Sequence, residues 1–133
     1  MLLQEEIDEL IEQAKQAAGN AYCPYSEYPV GAAVLTKDGQ TFWGCNVENV
    51  SFGATICAER VAAASAIANG HTALRAIAIF HNGEDLPYPC GICRQFLSEF
   101  GLDLDVIVAT DETYELFSLA SLLPHAFDTK EIK

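Results

Sequence analysis

Apolar residues recur every three to four positions at the start of the chain. Leu3, Ile7, Leu10, Ile11 and Ala14 fall on one helical face, so the spacing predicts an amphipathic helix from Leu3 to about Ala18, closed near Gly19-Asn20. The period then changes. Val30 to Leu35 and Thr41 to Val47 are β-prone runs flanking Lys37-Asp38-Gly39-Gln40, a hairpin signal built on Asp-Gly, and Tyr22 to Ser26 is a turn-rich connection before them. Ile56 to Asn69 is alanine-rich and meets Gly70, the pattern of a helix with a glycine stop. Ala76 to Phe80 is a continuous apolar run, expected of a strand covered on both faces. Gly91 to Phe100 reads as a helix stopped by Gly101. Val106 to Ala109 and Thr113 to Phe117 read as strands, and Leu116 to Leu123 as a short closing helix before Pro124. The order α-β-β-α-β-α-β-β predicts a layered α/β domain with helices packed on a central mixed sheet.

Composition narrows the partners more than the fold. The 133 residues suit one domain, residues 1–133, and half of them are hydrophobic, enough for a core without disulfide staples. Seven basic against nineteen acidic residues give a net charge of −12. Nucleic-acid affinity rests largely on neutralising phosphates, so this balance argues against a polyanion partner and against an acidic membrane surface. A neutral small molecule fits better. The N-terminal stretch is acidic and lacks an apolar secretory core, and no apolar run is long enough to span a bilayer. Five cysteines exclude a fully paired framework within one chain, so a reducing compartment, the cytoplasm, is expected.

Those cysteines carry the chemistry. Cys57-Ala58-Glu59-Arg60 is followed, after an apolar segment, by Pro89-Cys90-Gly91-Ile92-Cys93-Arg94-Gln95. Cys57, Cys90 and Cys93 can hold one zinc ion and leave its fourth position open to water, the layout of a catalytic site. Glu59 can reach that water, and a metal that acidifies water beside a carboxylate that moves its protons makes a hydrolytic centre. The order C-x-E…P-C-x-x-C is a deaminase signature in an all-cysteine variant. Both cysteine motifs sit at predicted helix starts, where the positive helix end stabilises thiolates. Zinc with three thiolates carries a net negative charge, so Arg60 is expected to donate to the sulfurs, with Arg94 a weaker candidate.

Each motif also has a bland reading. Cys90 and Cys93 alone are a redox C-x-x-C, and Cys57 alone is an inert core cysteine. A closed structural zinc site would need His71, His81 or His125 as fourth ligand, but none stands at ligand spacing, and each reads as a surface histidine. Cys23 and Cys45 lack ligand spacing and read as structural. Asn46 and Glu48, on one face by strand periodicity, can hold the vicinal hydroxyls of a ribose; the alternative is an ordinary polar strand end.

Together these motifs, with Ala21 to Ser26, Val30 to Ala33, Gly44 to Asn49 and Leu122 to Phe127, resemble the small, homotetrameric cytidine deaminase family. The resemblance implies a three-layer α/β/α sandwich on a five-stranded mixed sheet. It implies a homotetramer whose active sites borrow residues from neighbouring subunits, and zinc-dependent conversion of cytidine, and of 2'-deoxycytidine, to uridine or deoxyuridine and ammonia in pyrimidine salvage. By position, Cys57, Cys90 and Cys93 would bind zinc, Glu59 would shuttle protons, Asn46 and Glu48 would grip the ribose, and the Ala58 backbone would meet the pyrimidine oxygen. Tyr28 stands where the family usually places a phenylalanine against the base, and Phe52 where relatives often carry a tyrosine from a neighbouring subunit. Phe127 would cover the pyrimidine from another subunit. The bland reading of Phe52 and Phe127 is core packing. Three rivals remain: the same chemistry on a free base or a nucleoside antibiotic, a zinc-stabilised interaction module, and a dithiol oxidoreductase.

Overall fold

Alternating apolar residues place one five-stranded sheet between two helical layers. The computed structural model describes residues 1–128, with α1 at Gln4–Ala18, β1 at Gly31–Thr36, β2 at Thr41–Cys45, α2 at Ala58–Ala68 and β3 at Leu74–Phe80. There follow α3 at Gly91–Ser98, β4 at Asp105–Ala109, β5 at Tyr114–Ser118 and α4 at Leu119–Leu122. The sheet order is β2-β1-β3-β4-β5, with β3 and β4 parallel and every other pair antiparallel. This is the expected three-layer sandwich, with every predicted element present.

The two faces of the sheet are packed in complementary ways. Ala33, Ala76, Ala78 and Ala109 offer a shallow surface to Ile7 and Leu10 of α1. On the opposite face Val34, Ile77, Ile79, Val106 and Val108 project further and meet Ala62, Ala63 and Ala66 of α2. At these contacts large side chains face small ones, which lets helix and sheet approach closely. Two glycines let the helices close. A Cβ at Gly31 would lie 1.9 Å from the Ala14 carbonyl oxygen, and one at Gly44 would lie 2.3 Å from the Ala62 nitrogen.

Element ends differ from the sequence pattern for local reasons. The second strand stops at Cys45, not Val47, because Asn46 turns its side chain back onto the chain preceding β1. Its Oδ1 accepts from Val30 N–H at 2.9 Å and its Nδ2 donates to the Tyr28 carbonyl at 2.8 Å. Ile56 pairs with Val47 rather than joining the next helix, and Cys57 is extended at φ −72°, ψ 153°, so α2 begins at Ala58. A 3-10 turn at Phe52–Ala54, with no signal in the sequence, lies between.

Topology then decides where the cysteines go. Helix α2 leads through a short turn into β3, and α3 leads into β4, so each helix runs against the strand that follows it. Since β3 and β4 are parallel, both helices start at the same edge, beyond the carboxyl ends of the parallel pair. A crevice in that position is the usual binding site of an open α/β sheet.

Candidate metal centre and cavity

Three sulfurs meet at those two helix starts. Cys57 is the N-cap of α2, Cys90 is the N-cap of α3, and Cys93 lies in the first turn of α3. Their Sγ atoms all lie within 4.8 Å of one another, and Cys57 Sγ is 3.9 Å from Cys90 Sγ. Thiolates around tetrahedral zinc at about 2.3 Å stand roughly 3.8 Å apart, so the trio is already near ligand geometry. Among the described residues no histidine joins this group. His71 Nδ1 instead pairs with Asp38 Oδ1 at 3.2 Å, and the closed four-ligand reading finds no support.

Electrostatics around the sulfurs fit a cation. The Cys57 thiol is lowered to about 5, first by its hydrogen bond from Cys93 and then by Arg60, while burial opposes the shift. Cys93 moves the other way, held protonated by that same bond and by its burial. The pair therefore keeps one proton between them, and a metal ion replacing it would need the second thiolate too, so binding releases protons. Arg60 Nη2 stands 3.7 Å from Cys57 Sγ, as the sequence predicts, and 3.4 Å from the Thr55 carbonyl. Its Nε is buried without a hydrogen-bond partner among the described residues, a cost more easily borne beside concentrated negative charge. Arg94 is neither a sulfur donor nor a solvated residue. Its Nε donates to the Pro89 carbonyl and its Nη1 to the Leu122 carbonyl, both at 2.8 Å, tying the start of α3 to α4.

Glu59, one residue into α2, is 4 % exposed, unusual for a carboxylate with no salt bridge among the described residues. Burial pushes it up to about 7, against the opposing pull of a backbone hydrogen bond. A carboxyl poised there can both take and give a proton near neutral pH.

A cavity of about 720 Å³ opens beside this centre, bounded by Cys57, Ala58, Glu59 and Cys90 at one end and by Tyr28, Asn46 and Glu48 elsewhere. Glu48 does not project freely from a strand end. Its Oε1 accepts from Tyr25 N–H at 3.0 Å and Ser26 N–H at 3.1 Å, and its Oε2 accepts from the Ser26 hydroxyl, so it moors the chain between Cys23 and Tyr28. These bonds, the Ser26 hydroxyl foremost, hold the Glu48 carboxyl below its ordinary value. A carboxylate has about four lone-pair sites, which leaves one for a further hydroxyl.

The aromatic candidates divide. Tyr28 lines the cavity, whereas Phe52 and Phe127 are not among its lining residues. Both are exposed, at 72 % and 57 %, so the core-packing reading of them is wrong. Phe52 meets Tyr25 edge-on at 5.6 Å over an adjoining hollow that includes Ser26 and Glu48. One residue of the cavity wall and one packed behind it carried no sequence signal for the site. Tyr88 lines the cavity wall and donates its hydroxyl to Glu115 at 2.6 Å. His81, read as a surface histidine, is half-buried against Tyr28.

Fold and site together define a layered α/β domain with a candidate three-thiol metal site beside a buried carboxyl. The model of the cytidine and deoxycytidylate deaminase zinc-binding region matches residues 4–110. The chain is 38 % identical to a cytidine deaminase of Sporosarcina psychrophila, over 96 % of this chain and 95 % of that protein. It is 41 % identical to one of Mycobacterium tuberculosis, over 90 % and 87 %. The crystal structure of cytidine deaminase from Burkholderia pseudomallei superposes with a TM-score of 0.88 at 42 % identity, covering 95 % of this chain and all of that one. That from M. tuberculosis gives 0.80 at 40 % identity, over 92 % and 98 %. This chain belongs to the zinc-binding cytidine and deoxycytidylate deaminase family.

Proposed function

We propose that this protein hydrolyses cytidine, and 2'-deoxycytidine, to uridine or deoxyuridine and ammonia, as a zinc-dependent enzyme of pyrimidine salvage. The observation that carries this reading is a buried carboxyl, Glu59, beside three sulfurs at one end of a cavity with room for a nucleoside. Cys57, Cys90 and Cys93 would hold one zinc ion per subunit, which would supply the Lewis acidity that makes water a nucleophile near neutral pH.

The chain's own groups handle the protons. As water adds to C4 of the pyrimidine, Glu59 takes the proton it loses and hands it to N3. Glu59 then removes the remaining hydroxyl proton and passes it to the departing amine, so the C4–N bond breaks and ammonia leaves with charge balanced. The Ala58 backbone meets the pyrimidine oxygen, Tyr28 lies against the base, and Asn46 with Glu48 holds the ribose. A sugar grip of this kind favours a nucleoside over a free base, and a net charge of −12 disfavours nucleic acid.

Tyr25 and Phe52 are exposed around a hollow that adjoins the cavity and shares Ser26, Glu48 and Thr55 with it. Exposed aromatic groups beside a site suit burial by neighbouring copies. A homotetramer, with Phe52 and Phe127 entering neighbouring sites, agrees with that exposure. No helix among the described residues is long and apolar enough to cross a membrane, and free thiol ligands suit the reducing cytoplasm.

Incubating the purified protein with cytidine should release uridine and ammonia in equal amounts, with about one zinc per chain in the same sample. Turnover of cytosine but not cytidine would overturn the nucleoside reading. A protein free of turnover but loaded with zinc would support the interaction module instead.

A further inference from the structure

His81 is the first residue beyond β3, and its N–H still donates to the Ala109 carbonyl of β4 at 3.2 Å, so its backbone belongs to the rigid sheet. Its side chain reaches to the segment that walls the cavity. His81 Nδ1 lies 2.8 Å from the Pro29 carbonyl oxygen, to which it donates, and the imidazole stacks on the Tyr28 ring at 3.5 Å between centroids with 13° between planes. Asn46 secures the two neighbouring peptides, through the Tyr28 carbonyl and the Val30 N–H. Tyr28, Pro29 and Val30 thus each have a backbone group held by one of two side chains, and among the described residues His81 is the aromatic partner of the Tyr28 ring.

Space for the imidazole is built in. A Cβ at Gly83 would stand 2.6 Å from His81 Nε2 and 2.8 Å from its Cδ2, so any side chain there displaces the ring. Gly83 N–H also donates to the His81 carbonyl at 3.1 Å, closing a tight turn around the residue. A tyrosine half-exposed at a cavity wall would otherwise rotate about χ1 and χ2. The parallel imidazole restrains that rotation from one side and leaves the rest of the ring for the base.

We infer that His81 is a positioning residue for substrate binding, fixing the plane of Tyr28 through a stack that Gly83 makes room for. This rests on the proposed function, since a planar base is what a fixed ring plane serves. The contribution belongs to binding and not to proton transfer, so it falls on KM and leaves kcat nearly untouched.

Three substitutions at two positions test it. His81→Ala should raise KM for cytidine about two- to tenfold, the span of an aromatic pair, with kcat within about twofold of the parent. His81→Phe, which keeps a ring but no donor to Pro29, should recover most of the lost affinity. Gly83→Ala, which leaves both rings in the sequence but crowds His81, should raise KM in the same sense. An unmoved KM in His81→Ala, in a parent enzyme that turns over cytidine, overturns the inference and spares the proposed function. A parent enzyme without turnover removes both. A loss confined to kcat, or a failure of Phe to rescue, also overturns it. The stack has its own readout: the His81 ring protons should be shifted upfield in NMR spectra, and the shift should vanish in Tyr28→Leu. Its absence from the parent spectrum counts against the inference whatever the kinetics show.

Discussion

The two helical layers are built from the same sheet by different rules. Helix α1 starts on Leu3, which offers no side-chain cap, and makes up for it within its own first and last turns. Glu6 accepts from Leu3 N–H at 2.9 Å to close its start, acidic residues fill its first turn, and Lys15 stands in its last. On the other face α2 and α3 have Cys57 and Cys90 at their N-caps, and neither side chain caps its helix. Ser, Asp or Asn would serve better there by about 1 kcal/mol. None of the three helices has a capping side chain at its N-cap, but α1 is closed from within by Glu6, whereas the layer that carries the site has sulfur at both positions, beside the cavity. A protein departs from its folding rules where its chemistry needs a residue type that folding does not favour.

That contrast makes predictions with a definite ranking. Cys93→Ser should abolish turnover and lower zinc content well below one per chain, measured by metal analysis after dialysis. Its thermal melt should still show a cooperative fold, because an α/β core of this apolar content does not depend on metal. Retention of both zinc and activity would break the assignment of the sulfurs. Glu59→Gln should keep zinc but slow ammonia release on the order of 10²–10⁴-fold or more. Full activity in that variant would dismiss Glu59 as proton carrier.

Core substitutions sharpen the division between layers. Leu10, 2 % exposed under α1, and Leu97, fully buried under α3, should each cost about 2–5 kcal/mol when cut to alanine, read from urea denaturation. Only Leu97→Ala should also lower kcat at temperatures where both variants remain folded, because α3 holds Cys90 and Cys93. Equal kinetic damage from both would show that the layers are not functionally separate.

The smallest effect concerns pH. The Glu48 carboxyl is held below its ordinary value of 4.5 by the Ser26 hydroxyl and the two backbone donors. A carboxylate lowered in the folded state contributes stability that is complete above 4.5 and is lost as pH falls through the folded value. Thermal melts at successively lower pH should therefore decline below that point, and Glu48→Gln should flatten part of the slope. An unchanged slope would mean that the mooring of the Cys23–Tyr28 segment does not depend on the charge.

Much of this molecule is readable residue by residue, since helical spacing, two-residue alternation and the punctuation of Asp38-Gly39, Gly70 and Gly101 are properties of neighbouring positions. The candidate metal trio and Glu59 are equally plain, because Cys-x-Glu and Cys-x-x-Cys are short-range spacings whose combination has few other uses. What stayed hidden depended on residues far apart in the chain. Nothing local says that β3 lies beside β4 and parallel to it, yet that adjacency turns two separate helix starts into one site. His81 and Tyr28 stand more than fifty positions apart, and Tyr88 finds Glu115 across a gap of 27. Contacts of this kind arise from sheet order and close packing, and they have no periodic trace along the backbone for a reader of residues to find.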